Sequence, residues 1–252
     1  MSASLHNRTV LVIGRGSGIA QAVALAVRAA GGRVVVAGRD ADALATAYHN
    51  QGSDSGSGSD SAPGPGIVAE TVDLTDESSV QALATRLGTV DHVVTTASAR
   101  ARGTVADLAH DTVLQAFDTK VLGPILLAKH FAPRMPKDGS FVLFSGSAAL
   151  KPSIGMLAVA ATNGAVDVVT RSLAVELAPI RVNAVSPGTI DTGAYDALGA
   201  EKKAALFAQR AATNPAGRIG SPEDIAEAVL FALTNTFLTG VSLAVDGGEP
   251  LV

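Results

Sequence analysis

An α/β protein built on a doubly wound, seven-stranded parallel sheet with helices on both faces is what this sequence predicts, and three observations predict it. Short β-branched runs alternate with longer stretches of helical apolar spacing, a rhythm that implies parallel strands joined by covering helices. A glycine-rich turn stands between the first such run and the first helical stretch. The 252 residues, 47% hydrophobic and 17% charged, are enough to bury one large core, so one domain spanning residues 1–252 is expected.

Taken in order, the run TVLVI predicts a strand over Thr9–Ile13, closed by Gly14, and apolar spacing predicts a helix over Ile19–Ala30. RVVVA predicts a strand over Arg33–Ala37, followed by a helix over Ala41–His49. The stretch GSDSGSGSDSAPGPG, residues 52–66, is too rich in Gly, Ser, Asp and Pro to bury a face and reads as a mobile surface loop. The rhythm resumes with a strand over Ile67–Asp73, a helix over Glu77–Leu87, a strand over His92–Thr96 and a long helix over Asp107–Ala132. Strands over Ser140–Ser145 and Arg181–Val185 enclose a helix over Met156–Ala178. A helical stretch over Leu198–Arg210, a helix over Pro222–Leu233 and a strand over Val241–Val245 complete the set. Ser221-Pro222-Glu223-Asp224 reads as a helix start: serine caps, proline suits the first turn, and carboxylates favour the positive end of the dipole.

The composition narrows the function. A net charge of −4 with scattered arginines argues against nucleic acid as a partner. Without cysteine there is no disulfide, thiolate catalysis or thiolate-bound metal. The histidines at 6, 49, 92, 110 and 130 show no metal-ligand spacing, so no metal is expected. The first apolar run, Val10 to Ile13, is too short for a signal peptide or a spanning helix, and a soluble cytoplasmic protein with no membrane partner is the expectation.

Gly14-Arg15-Gly16-Ser17-Gly18-Ile19 opens a helix directly after a strand. Glycines there permit a tight turn and close approach of a phosphate, and the helix N-terminus offers free N–H groups and partial positive charge. Tight packing alone is the alternative. Arg39, at the end of the second strand where an acid would select NAD, can pair with a 2′-phosphate, with Arg15 adding charge. A solvated Arg39 beside a helix-capping Asp40 is the other reading. The cofactor expected is NADP(H), with NAD(H) second.

The glycine spacing G-x-x-x-G-x-G, here with Ala20 in the last place, Asp73 before Leu74, and the run Arg181-Val182-Asn183-Ala184-Val185-Ser186-Pro187-Gly188-Thr189-Ile190-Asp191-Thr192 together resemble the short-chain dehydrogenase/reductase family over nearly the whole chain. The resemblance implies a Rossmann-type fold, Asp73 and Leu74 at the adenine, and a loop against the nicotinamide in which Pro187 and Gly188 bend the chain and Ile190 and Thr192 contact the carboxamide. Asp73 can equally cap the helix after it. Where the family carries Asn-Asn-Ala-Gly this chain has Thr95-Thr96-Ala97-Ser98, retaining only Ala97 beside the cofactor. The resemblance further implies a substrate lid at about 190–213 and a homotetramer or homodimer formed through the helices Asp107–Ala132 and Met156–Ala178 with C-terminal contacts.

The family's acid/base chemistry uses a tyrosine whose pKa a lysine lowers one helical turn later, a serine that polarises the carbonyl, and an asparagine. Here Val159 stands at the tyrosine, Asn163 at the lysine, Gly146 (between Ser145 and Ser147) at the serine and Lys120 at the asparagine. The only tyrosines, Tyr48 and Tyr195, are followed four residues later by glycine, so no Y-x-x-x-K exists. Lys and Asn have exchanged places. The candidate catalytic residues are therefore Lys120, Ser145, Ser147, Asn163 and Tyr195. For each a plain alternative stands: Lys120 and Asn163 fill a polar pocket, the serines are satisfied by backbone, and Tyr195 packs in the lid. Arg100 and Arg102 either meet an acidic substrate or sit in a solvated loop.

Three functions follow. The first is an atypical NADP(H)-dependent oxidoreductase acting on a small carbonyl, alcohol or imine. The second is a non-redox isomerase, lyase or cyclase on the same scaffold, and the third a silent NADP(H)-binding partner or sensor.

Overall fold

The computed structural model describes residues 4–49, 66–193 and 195–252. Of the surface loop expected at 52–66, all but Gly66 lies outside the described residues. Seven parallel strands form one sheet in the order β3-β2-β1-β4-β5-β6-β7. They are β1 (Thr9–Ile13), β2 (Arg33–Gly38), β3 (Val68–Thr71), β4 (His92–Thr95), β5 (Ser140–Phe144), β6 (Arg181–Pro187) and β7 (Ser242–Val245). The helices are α1 (Gly18–Ala29), α2 (Ala41–His49), α3 (Glu77–Leu87), α4 (His110–Phe117), α5 (Gly123–Phe131), α6 (Leu157–Glu176), α7 (Ala200–Thr213) and α8 (Pro222–Thr234).

Alternation along each strand sends side chains to two separate cores. Val10, Val12, Val34, Val36, Val94, Val142 and Val185 face α1, α2 and α8. Leu11, Ile13, Val93, Phe141, Leu143, Val182 and Ala184 face α3, α5 and α6. Both faces of the sheet are thus dry, which is why the strands read as continuous apolar runs. The expected box at the start of α8 is present: Ser221 accepts from the Asp224 N–H and the Asp224 carboxylate accepts from the Ser221 N–H.

The helix predicted without interruption over Asp107–Ala132 is instead three pieces. It begins at His110, and between α4 and α5 one turn of π-helix runs from Asp118 to Leu122. Apolar periodicity does not report a single inserted residue, so the spacing concealed the break. Its consequence is local: the turn aims Lys120 inward, where the side chain is 9% exposed.

Arg181 supports the far side of the sheet. Its guanidinium donates to the carbonyls of Ala232 (2.8 Å), Leu233 (2.7 Å) and Leu238 (3.1 Å), groups at and just beyond the C-terminus of α8 that the helix itself leaves unpaired. Asn183 completes the clasp, donating to Leu238 O (2.9 Å) and accepting from Val241 N (3.2 Å) at the entry to β7. Replacing Arg181 by Met strands three acceptors in a water-poor site, and we expect a loss of roughly 3 kcal/mol in urea unfolding; a loss below about 1 kcal/mol would mean water replaces the guanidinium.

Candidate active site

Because strand order reverses between β1 and β4, the connections leaving these two neighbours go to opposite faces and a crevice opens at their C-terminal ends. The glycine turn lies there. Thr96 ties its base by donating N–H (2.8 Å) and hydroxyl (3.1 Å) to Ile13 O. A Cβ on Gly14 would lie 2.2 Å from Thr96 Oγ1 and one on Gly16 2.6 Å from Ala47 Cβ, so these two glycines are demanded by packing. Gly18 adopts φ +58° and faces Thr192, whose Cβ lies 3.0 Å from where a Cβ would sit. Gly18 and Thr192, far apart in sequence, line one gap.

Ser17 is the N-cap of α1 but its side chain makes no capping bond, and the first turn holds no acid. The N–H groups there remain free beside the exposed Arg15 and Ser17, an arrangement suited to an anion. Ile19, half-buried, packs back onto the core. Arg39 is exposed after β2, with no hydrogen-bond or ion-pair partner among the described residues, while Asp40 accepts from Ala43 N (2.9 Å) and starts α2. Asp73 does not cap α3; Asp76 does, accepting from Ser78 N. Asp73 instead accepts from the N–H and hydroxyl of Thr75 at 2.9 and 2.8 Å. Leu74 is buried against Gly123 and Ala97 is half-buried on the same core, so the side chain of Leu74 is a packing element.

Beyond β6, Pro187 ends the strand and Gly188 N donates to Val245 O (3.1 Å). A Cβ on Gly188 would lie 2.7 Å from Asp246 Cα. Thr189 is clamped by Glu249, to which its N–H donates at 2.7 Å. Ile190 is 6% exposed and its side chain belongs to the core. Its parallel bridge to Gly220 uses Thr189 O and Asp191 N, leaving the Ile190 N–H and carbonyl directed away from Gly220. Past this loop, Lys203 binds Asp191 (2.9 Å) and Asp196 (2.6 Å), and the Tyr195 ring meets Phe207 edge-on at 5.3 Å. No residue of α7 is fully buried.

At the chemical end the exchanged pair meets directly. Lys120 Nζ donates to Asn163 Oδ1 and to Ser145 O (3.2 Å). Asn163 Nδ2 donates to Gly146 O (3.2 Å), and Ser145 Oγ donates to Asn163 O (3.1 Å). Four buried groups thereby join the π turn, the end of β5 and α6. The Ser145 hydroxyl is committed to backbone, whereas Ser147 is half-buried in a turn of 3₁₀ helix. A Cβ at Gly146 would lie 2.8 Å from Asn163 Nδ2, so a side chain at 146 would have to displace the Asn163 amide. Val159 is half-buried where a phenol would stand.

Among the described residues no carboxylate pairs with the Lys120 ammonium. Burial, with the charge of Arg100 adding and that of Asp167 opposing, lowers its pKa from 10.5 to about 8. Asp167 lies one turn beyond Asn163 on α6, and its buried Oδ1 has no partner among the described residues. Neither Asp167 nor the recessed position of Arg100 is legible from spacing, because each depends on how α6 and the β4–α4 loop pack. The buried histidine His92, held near 4 by burial, bonds Ser140 Oγ at the opposite end of the sheet.

The sequence model of a family described as Enoyl-(Acyl carrier protein) reductase matches residues 13–249. Short-chain dehydrogenase/reductase ATR9 of Stachybotrys chlorohalonatus is 30% identical, across 97% of this chain and 98% of its own length. A small-chain dehydrogenase crystallised in complex with NADPH superposes with TM-score 0.80 at 32% identity, covering 97% of this chain and 99% of that one. The MalC Reductase/Diels-Alderase of Malbranchea aurantiaca superposes with TM-score 0.87 at 32% identity, covering 98% of both.

Two outcomes test the cluster. Between pH 8 and 10.5 the unfolded chain binds more protons at position 120 than the folded chain, so stability relative to Lys120→Met rises with pH across that window; a flat difference would place the ammonium in water. Gly146→Ser alone is expected to cost about 1–3 kcal/mol and much less when combined with Asn163→Ala; equal costs in both backgrounds would remove the steric coupling.

Proposed function

The chain belongs to the short-chain dehydrogenase/reductase family, and from that premise we propose an NADP(H)-dependent oxidoreductase that acts on a small carbonyl, alcohol or imine with Lys120 in place of the usual phenol. The observation that carries this reading is the buried ammonium of Lys120, hydrogen-bonded to Asn163 and Ser145 O at the crevice floor, with a pKa of about 8. A group titrating there can give and take a proton near neutral pH.

The residues present fit the cofactor. Gly14, Arg15, Gly16, Ser17, Gly18 and Ile19 would hold its diphosphate at the uncapped start of α1, and the exposed Arg39 its 2′-phosphate. Asp73 would meet the adenine, with Leu74 and Ala97 forming the apolar wall behind it. Pro187 and Gly188 shape the loop from which the Ile190 backbone and Thr192 would reach the carboxamide. The cofactor, when bound, supplies or accepts the hydride. Lys120 Nζ holds the proton that the substrate oxygen or nitrogen gains, Asn163 orients that ammonium, and Ser147 is the hydroxyl left to bond the substrate. The segment at about 190–213, with its loosely buried α7, serves as a lid, and Tyr195 packs within it. The exposed apolar residues Leu122, Ile125, Val168 and Val175 mark the face through which copies of the chain would associate.

A non-redox reading has two observations in its favour: Val159 makes the phenol's place apolar, and the Ser145 hydroxyl is not free. Consumption of NADPH separates the two. Calorimetric titration is expected to give NADPH at least about tenfold tighter than NADH, with Arg39→Ala erasing the preference, and Lys120→Met to lose turnover or cofactor affinity while the protein stays folded. Absence of dinucleotide binding would overturn the oxidoreductase reading, and a Lys120→Met variant unchanged in both would remove Lys120 from the mechanism.

A further inference from the structure

Resting on the crevice as the substrate site, we propose that the substrate is an organic acid: a carboxylate on an apolar body, with the carboxylate paired to Arg100. The first ground is placement. Arg100 and Arg102 flank Ala101, which is buried against Ala116 of α4 and Ala158 of α6, the residue preceding Val159. Two residues on, Gly103 N donates to Gly155 O (3.1 Å) and pins the β4–α4 loop to the start of α6. Arg100 is therefore held beside the chemical end by its buried neighbour and is itself exposed to solvent.

The second ground is its company. Desolvation most lowers the Arg100 pKa, Arg102 on its own loop and Arg15 of the glycine turn add to it, Tyr195 of the lid opposes it, and Arg100 in turn acts on Lys120. Three other elements thus bear on it, and none contributes a carboxylate to its charge balance. The acids near the mouth are committed elsewhere: Asp107 accepts from Thr104 (2.6 Å), and Asp191 and Asp196 bind Lys203. Neither Arg100 nor Arg102 has a hydrogen-bond or ion-pair partner among the described residues. Like charges gathered where protein displaces water raise one another's cost, and a bound anion relieves all of them. An arginine fork matches a carboxylate in two parallel bonds.

The third ground is the rim. Val105, Leu150, Ile154 and Leu157, from the two loops joined by the Gly103–Gly155 bond, are all exposed, Ile154 to 94%. Apolar side chains beside a cationic recess suit a molecule with an acidic head and a hydrocarbon body. The cofactor phosphates are a competing anion for Arg100, and the test separates them.

Butanoate, hexanoate and octanoate, each with its primary amide, are titrated calorimetrically into free and NADP⁺-loaded protein, using wild type, Arg100→Gln and Arg100→Lys. At least one alkanoate is expected to bind about tenfold tighter than its amide. Arg100→Gln should erase that difference and Arg100→Lys restore part of it, with NADP⁺ affinity unchanged within about twofold. Amides binding as tightly as alkanoates, or no saturable alkanoate binding, would overturn the proposal. So would an Arg100→Gln effect confined to NADP⁺, which would make Arg100 a cofactor contact. Alkanoate binding without any NADP⁺ binding would leave the organic acid standing and sink the oxidoreductase reading instead.

Discussion

The reversal of strand order between β1 and β4 is the constraint on which the rest depends. With β2 on one side of β1 and β4 on the other, successive connections diverge to opposite faces, and no helix can cover the C-terminal ends at that point. Everything singled out lies along this crevice: the glycine turn after β1, Arg39 after β2, the β4–α4 loop with Arg100, the Ser145–Gly146 turn after β5, and the Gly188–Thr192 loop after β6. The opposite, N-terminal end of the strands holds structural polar groups, such as His92 with Ser140 and the Arg181 clasp, satisfied within the protein. Two dry cores keep the strand ends in register, so that side chains far apart in sequence meet within hydrogen-bonding distance.

Within that crevice, the buried Lys120 ammonium is hydrogen-bonded to neutral oxygens. A carboxylate partner would hold the proton on Lys120 at all ordinary pH; amide and carbonyl oxygens accept the bond without adding charge, and burial lowers the pKa. The exchange of lysine and asparagine is not two independent changes. Asn163 fills the space that a side chain at 146 would need, Gly146 O accepts from Asn163, and the π turn brings Lys120 to both. Residues at three of the four expected catalytic positions are therefore in contact with one another, and a side chain at 146 would crowd the Asn163 amide.

Much of the architecture was legible in the sequence because burial on both faces writes itself as β-branched runs. The starts of β1, β2, β4, β5 and β6 fall where such runs begin, and the Ser221-Pro222-Glu223-Asp224 start of α8 shows because capping is local chemistry. The π turn was not legible, since one extra residue shifts a helical stripe too little to disturb its period. The run from Arg181 to Thr192 carries two functions that the string cannot separate: its Arg181 and Asn183 brace α8 and β7, and only its later residues reach the crevice. Asp73 reads from the sequence as a cap of the helix that follows, and the structure gives that role to Asp76, directly before Glu77.

By itself the sequence determined the fold class, the family, the glycine turn before α1, and the absence of the tyrosine–lysine pair, because each is written in local residue order or composition. Tertiary structure alone decided that Lys120 and Asn163 share a hydrogen bond, that a side chain at 146 would crowd the Asn163 amide, that Leu74 and Ile190 turn their side chains into the core, and that Ala101, beside the exposed Arg100, packs against α4 and α6. The physical reason is range. Propensity, capping and periodicity act over a few residues, whereas the pKa of a buried ammonium and the space beside a glycine are set by neighbours that only the packed sheet and helices bring together.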